Sequence, residues 1–360
     1  MEIFVAYDKY FSPGLSVRLV HTTSESAPSY HIEISDSICF GDTYIWNNST
    51  YTTSGDYTKQ LRSIYGTDSI VTLHLSVISC PEVELKGAFS VSPTTKVAFS
   101  PGNLQYQAST DTWRFAEHQY DYVGDASKGN VYANGVKCDN AKISSSYNGW
   151  IDLFGWGTSG YNDKYPYMTS RNDSDYGDGE KDIAGTNYDW GVYNQIGSDP
   201  KGTWRTLTWN EWWYLYVDRP NANRLWGHGT VNGVPGTIIL PDDWVLPNGL
   251  SFTAGTEGMP FDDNEYAYIG YGDHFGDNTY TLAQWAKMEA AGACFLPAAG
   301  FREGGTTIYE ILSAGVYWSS TKYQYADAYA DFFYFQTDQL FPWRSIMRYY
   351  GFSVRAVLVE

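Results

Sequence analysis

GVYWSSTKYQYADAYADFFYFQTDQLFPWRSIMRYYGFSVRAV, residues 315–357, is the stretch on which the reading of the fold turns. Gly315–Ser320, Ala328–Phe335 and Phe352–Leu358 read as strands, rich in Val, Tyr, Trp and Phe. Between Tyr317 and Phe352 lie 14 aromatic residues in 36 positions. Alternation along Ala328–Phe335 places one set of rings in a core. Rings occupy both parities, so the pattern predicts that the other set faces water or a partner. Rings with polar tips, interleaved with Ser and Asp, give large contact area at little entropic cost, as adaptable binding surfaces do.

The whole chain shares this bias. Its 360 residues include Trp 14, Tyr 32 and Phe 17, or 18% aromatic, and only 18% charged. Ordinary soluble domains carry roughly 25% charged residues. The aromatic content excludes a disordered chain. A net charge of −18 disfavours a phosphate backbone as partner, and repels an anionic membrane surface. No apolar run is long enough to span a bilayer. Cys39, Cys80, Cys138 and Cys294 are too scattered for a zinc pattern, and two disulfides or none both stay open. The start lacks a basic and an apolar signal region, so the chain is either cytoplasmic or a piece of a longer exported protein. Residues 14–20, GLSVRLV, match 351–357, GFSVRAV, at five of seven positions. A preceding copy of the C-terminal domain would explain that match, as would chance; the first favours the exported piece.

Three segments follow. Residues 1–29 read as the tail of a preceding domain or a linker. Residues 30–85 read as a small β-repeat: in Asp68–Val77, Val71, Leu73, Leu75 and Val77 alternate with Ile70, Thr72, His74 and Ser76, a half-buried strand. Turns are expected at Gly41-Asp42, Ser54-Gly55 and Gly66-Thr67. Residues 86–360 read as one large domain of short strands and long loops. Thr208 with Glu211, and Thr281 with Gln284, are capping-box patterns opening helices over 209–217 and 282–291, with Gly292 as the stop. Two helices among many strands make the class α+β.

Motifs for chemistry are sparse. Gly155-Trp-Gly-Thr-Ser-Gly160 matches GxGxxG, but a loop follows where a dinucleotide site needs a helix, so a turn is expected. The acidic loop Asn172–Asp182 is either solvated or a calcium site built from Asp173, Asp175, Asp178 and Glu180, with spacing unlike an EF-hand. His21, His31, His74, His118, His228 and His274 show no metal-ligating pairs, and GxSxG is absent. Asp242-Asp243 after Leu240-Pro241 reads as a turn, and no cofactor other than calcium is expected.

The phrases FSPGNLQY (99–106), LFGWGTSGY (153–161), NYDWGVYNQI (187–196), WRTLTWNEWWYL (204–215), GTIILPDDW (236–244), FLPAAGFR (295–302), GVYWSST (315–321) and GFSVRAV (351–357) resemble gut-bacterial surface proteins with a C-type lectin-like fold. The resemblance spans about 99–358, in order. GDTYIWNNSTYTTSGDYT and DSIVTLHLSV in residues 30–80 resemble a stalk repeat of Bacteroidetes-type surface proteins. The resemblance implies a compact α+β domain whose last strands and loops hold a ligand. One branch comprises the variable proteins of diversity-generating retroelements, in which Lys322–Tyr350 would be the variable segment. Tyr323, Tyr325, Asp327, Asp331, Phe332, Tyr334, Ser345, Ile346 and Tyr349 suit adenine-directed mutagenesis of Asn codons; Gln339, Trp343 and Met347 depart from it. The sulfatase-modifying branch needs reactive cysteines near the end, and no Cys follows Cys294.

The reading that results is a secreted or surface-anchored binding module, not an enzyme. Its expected contacts are Tyr323, Tyr325, Asp327, Tyr329, Asp331, Phe332, Tyr334, Trp343, Ser345 and Tyr349. Stacking and shape supply affinity, and Asp and Ser supply orientation. The ligand is a protein or glycan on another cell, phage or host surface. A glycan-acting hydrolase using two carboxylates and a structural, fimbria-like subunit are the alternatives.

Overall fold

The computed structural model describes residues 31–39, 44–62, 68–78, 87–123, 143–256, 269–305 and 307–359. Residues 14–20, Cys80, Cys138 and the turns expected at 41–42 and 66–67 lie outside these. The chain divides into two compact units, Met1–Glu82 and Val83–Glu360.

In the first unit, β1 (His31–Cys39), β2 (Tyr44–Trp46), β3 (Ser49–Tyr51), β4 (Gly55–Arg62) and β5 (Asp68–Ile78) follow in chain order. β5 is the middle of a three-stranded sheet, parallel to β1 and antiparallel to β4. Val71, Leu73 and Leu75 are buried while Thr72 and His74 are not, so the alternation read from the sequence holds. β2 and β3 form a hairpin over Asn47-Asn48, whose φ angles are 47° and 59°. A two-residue turn with both φ positive matches the right-handed twist of its strands, and Asn tolerates that conformation.

The described part of the second unit is α+β and strand-rich. Its strands are β6 (Phe89–Ser90), β7 (Lys96–Phe99), β8 (Leu104–Gln107), β9 (Thr112–Phe115), β10 (Arg205–Thr206), β11 (Trp226–Val231), β12 (Val234–Ile239), β13 (Thr279–Tyr280), β14 (Cys294–Pro297), β15 (Phe301–Glu303), β16 (Ile308–Tyr309), β17 (Ala314–Lys322), β18 (Tyr329–Gln336), β19 (Gln339–Met347), β20 (Tyr350–Gly351) and β21 (Ala356–Val359). They pair as β10-β21-β7-β6, β13-β11-β12-β14, β16-β15-β20, β17-β18-β19 and the hairpin β8-β9.

Helices α1 (Trp190–Tyr193), α2 (Trp209–Trp213) and α3 (Leu282–Ala290) cover these sheets. Both expected capping boxes are formed: Thr208 with Glu211 opens α2, and Thr281 with Gln284 opens α3. Gly292, at φ 98°, follows the end of α3. α2 is shorter than the sequence pattern predicts, because the chain widens into a π-helical turn at Tyr214–Asp218 that buries Leu215 and Tyr216.

The sheet β17-β18-β19 lies between two cores. On one side Tyr317, Phe333, Phe335 and Leu340 join Phe99, Trp212, Tyr216 and Trp226. On the other, Val316, Trp318, Ala330 and Phe332 join Trp156, Trp190, Phe352 and Val354. This corrects the expectation drawn from the two parities. Rings on both faces of β18 are mostly buried, because the sheet is covered twice. The predicted strand over 352–358 also resolves differently. Phe352 bridges to Phe154 and Ser353 to Tyr317, so the segment between β20 and β21 is drawn into the interior.

Arg355 is 1% exposed. Its guanidinium donates to Asn103 Oδ1 at 3.1 Å, the Ser100 carbonyl at 3.0 Å, the Phe295 carbonyl at 2.8 Å and the Gln119 carbonyl at 3.4 Å. Lysine keeps the charge but lacks the planar fork. Arg355→Lys is expected to lower the unfolding free energy by roughly 3 kcal/mol or more, since several buried acceptors lose their donors. Thr281→Ala, which removes only a helix cap, is expected to cost about 1 kcal/mol. Urea titration of the two variants measures the difference.

Candidate functional site

β17 runs through Trp318, Ser319 and Ser320, all fully buried, before the chain emerges at Lys322. A tight connection then returns it to β18: Tyr323 N–H donates to the Tyr329 carbonyl at 3.2 Å, and Tyr329 N–H to the Ala326 carbonyl at 3.0 Å. Lys322 pairs with Asp327 across this connection, which pulls the Asp327 carboxyl below the usual range. The loop therefore has fixed ends and presents its rings outward. Tyr325 is 73% exposed.

The Tyr323 ring lies 5.5 Å from Tyr325, 6.2 Å from Tyr329 and 6.3 Å from Trp343 of β19. Trp343 in turn lies 5.5 Å from Trp209. Five rings thus make one ledge. The sequence reading missed Trp209, which it treated only as the first residue of a helix. Trp209 N–H donates to Thr321 Oγ1 at 3.2 Å, so the start of α2 is tied to the strand that feeds the ledge. No local pattern signals that contact across 112 residues.

Below the ledge sits Asp331, 2% exposed, in register with Ser345 of β19. Its Oδ1 has no hydrogen-bond partner, and neither has Trp343 Nε1. Burial pushes the Asp331 carboxyl up to about 7; the nearby Trp343 indole N–H opposes that shift without bonding to it, and Asp182 adds to it. A buried acid near neutrality is a feature of reactive or ligand-contacting sites as well as of structural ones.

The remaining expected contacts do not share this face. Phe332 is buried against Phe352, with ring centroids 5.0 Å apart. It forms, with Tyr334, part of a separate pocket of about 260 Å³ on the other side of the sheet. Tyr349 stacks on Tyr350 at 5.1 Å. The structure therefore brings together Tyr323, Tyr325, Tyr329 and Trp343, places Asp331 beneath them and Ser345 opposite it, and sends Phe332 and Tyr334 elsewhere.

The acidic loop is organised by an arginine. Arg348, 3% exposed, donates to the Tyr176 carbonyl at 3.1 Å and the Gly179 carbonyl at 2.5 Å. Ser170 donates to Asp175 Oδ2 at 2.5 Å. Asp173 is partly buried and its carboxyl is raised by that burial. Among the described residues no three His, Cys, Asp or Glu side chains converge as a metal-binding group. Asp173, Asp175, Asp178 and Glu180 are thus not assembled as a calcium cage; the guanidinium occupies the inward carbonyls of the loop. Gly155–Gly160 is a turn, as expected: Gly157 and Gly160 have φ of 70° and 94°, and one 3₁₀ turn follows. Cys294 is a free, buried thiol that burial pushes up to about 12, which leaves it unreactive.

Compared with known proteins, the chain matches no family model, no curated protein and no solved structure. No helix among the described residues is long and apolar enough to cross a membrane.

The folded-state value of Asp331 lies above the roughly 3.9 of an unfolded aspartate. Proton binding therefore favours the folded state. The stability Asp331 confers is complete below about pH 4 and is lost as pH rises towards 7. Asp331→Asn is expected to match the wild type at pH 4 and to exceed it at pH 8 by on the order of 1–4 kcal/mol. Thermal unfolding at the two pH values checks this; equal shifts at both contradict the assignment.

Proposed function

We propose that the second unit is a ligand-binding module of C-type lectin-like type, carried on an extracellular or cell-surface protein, and that its ligand rests on the ledge of Trp209, Tyr323, Tyr325, Tyr329 and Trp343. The ligand is a protein or glycan on another cell, phage or host surface. One observation carries the reading. Within a sheet whose other rings are buried in two cores, these rings are gathered at one end, with Tyr325 73% exposed. Large rings held on a rigid frame bind with little entropy loss. The small β-repeat of residues 30–85 serves as a spacer.

The narrower form of the proposal is that Lys322–Tyr350 is the variable segment of a diversity-generating retroelement target. Its support is the contrast between an outward loop bearing Tyr323 and Tyr325 and the buried framework of Trp318, Ser319, Ser353 and Arg355 around it. A reverse transcriptase gene near this one, with a near-repeat of codons 322–350 differing at template adenines, is the genomic test.

A second reading rests on Asp331. A glycan-acting hydrolase needs one acid with a raised pKa and a second carboxylate nearby, and Asp331 meets the first condition, with Asp182 adding to its shift. Turnover of a glycan panel that disappears in Asp331→Asn would place this reading ahead of pure binding.

Tyr325→Ala and Trp343→Ala are each expected to weaken ligand capture by about tenfold or more, the effect of truncating an aromatic hot spot. Glycan arrays and cell-surface protein panels supply the ligands. Unchanged capture in both variants moves the site away from the ledge.

A further inference from the structure

The face of β18 that carries the ring ledge also carries a carboxyl. Successive residues of a strand alternate faces, so Tyr329, Asp331 and Phe333 share one side of β18. Asp331 pairs in register with Ser345 of β19, and Trp343 lies two residues before Ser345. That makes Trp343 a diagonal neighbour of Asp331, within reach of a large side chain. The Tyr323 ring, 6.2 Å from Tyr329 and 6.3 Å from Trp343, completes the surround. At the floor, Asp331 Oδ1 and Trp343 Nε1 are both buried without a hydrogen-bond partner.

The charges around this floor are unevenly matched. β17 and the connection after it bring Lys322 and Asp327, which pair with each other. The start of α2 brings Glu211, which pairs with Arg205 at 2.7 Å. Arg348, just after β19, is engaged by the Tyr176 and Gly179 carbonyls. Arg344 is in register with Phe332, and so belongs to the other face of the sheet. The acidic loop brings exposed Lys181 and Asp182; the Asp182 Oδ1 accepts from the Lys322 backbone N–H at 2.8 Å. Among the described residues no cation pairs with the carboxyl of Asp331 or of Asp182. The faces of the rings add to this, because each is the negative pole of its quadrupole.

We propose that the ledge takes a cationic side chain, a lysine or arginine of a protein partner, between its rings and above the Asp331 carboxyl. The inference rests on the ledge being the binding face, and names what it binds. A neutral sugar gains stacking from the rings and nothing from the charge. An acidic sugar is repelled by Asp182, by Asp331 when ionised and by a net charge of −18. A cation gains from the rings and from the carboxyl together, and salt screens a buried charge only weakly. Burial holds the Asp331 carboxyl at about 7. A docked cation favours its ionised form and displaces the proton. The contribution of Asp331 is therefore absent at pH 5 and present at pH 8, while lysine stays charged throughout.

Isothermal titration calorimetry on the intact chain tests this with blocked tripeptides whose central residue is lysine, arginine, Nε-acetyllysine or norleucine. The lysine and arginine peptides are expected to bind, and the two neutral peptides to bind about tenfold more weakly. The lysine peptide is expected to bind severalfold more tightly at pH 8 than at pH 5. At pH 7 its binding is expected to release protons, seen as a heat that changes with the ionisation enthalpy of the buffer. Asp331→Asn is expected to abolish both the pH dependence and the proton release; its thermal unfolding at pH 4 shows that the variant is folded. Tyr325→Ala is expected to weaken all four peptides. Equal binding of the lysine and acetyllysine peptides overturns the inference, as does a pH dependence that persists in Asp331→Asn. Tyr325-dependent capture of a neutral glycan, with no binding of either cationic peptide at millimolar concentration, overturns it too and leaves the ledge as the binding face. Absence of Tyr325-dependent binding for every glycan and peptide removes the ledge and the inference together.

Discussion

Among the described residues Arg355 is a buried cation with no carboxylate against its guanidinium, and much of the second unit is arranged to make that tolerable. Removing a guanidinium from water is costly unless its donors are met. Here they are met by four groups on segments far apart in the chain: Ser100 and Asn103 between β7 and β8, Gln119, and Phe295 of β14. The network continues outward. Asn103 Nδ2 donates to the Tyr317 hydroxyl at 3.4 Å, and that hydroxyl donates to the Pro297 carbonyl at 2.8 Å. The Gln119 side chain accepts from Phe295 N–H and donates to the Ala293 carbonyl. The last strand, the central sheet and β14 are thus held by one set of polar contacts inside an aromatic core. Arg302 repeats the device, reaching the Gly305 and Leu153 carbonyls from a buried position, while Arg219 reaches the Leu240 and Leu225 carbonyls with the Asp242 carboxylate beside it at 3.4 Å.

Because these contacts hold the frame, the sheet β17-β18-β19 can be packed on both faces. Two tryptophans that cross the interior also find acceptors, Trp318 Nε1 at the Phe154 carbonyl at 2.6 Å and Trp156 Nε1 at the Ser319 carbonyl at 2.9 Å, whereas the indole N–H groups of Trp190, Trp212 and Trp285 are buried without one. The rings are then divided by position along the sheet as well as by parity. Those in its middle are core. Those at the β17–β18 end are free to face outward, and Asp331 lies where the two regimes meet. That position explains its raised carboxyl: it is deep enough to lose solvent, its Oδ1 is unpartnered, and Asp182 adds to the shift.

Local features were readable where a short-range rule governs them. The capping boxes at Thr208 and Thr281 depend on residues three apart, and both are present. The alternation in β5 depends on one strand having one buried face, and it holds at Val71, Leu73 and Leu75. The same rule failed on β18, where Phe332 and Phe333 point to different cores, because alternation carries no information when both faces are covered. The acidic loop looked like an oxygen-rich cage, and in the fold it receives Arg348 from the far end of the chain. Trp209 was silent in sequence for the same reason: it matters through neighbours contributed by distant segments.

The amino-acid sequence by itself determined the class of the chain: strand-rich with a few capped helices, acidic, and with its rings concentrated in residues 317–352. Those are consequences of composition and of periodicities two to four residues long. The tertiary structure alone decided which rings are core and which form the ledge, and that Asp331 is buried with its Oδ1 unpartnered. These depend on how strands 100 or more residues apart are stacked, and that stacking is set by burial and by buried donors finding acceptors, terms to which every segment contributes and no single segment reveals.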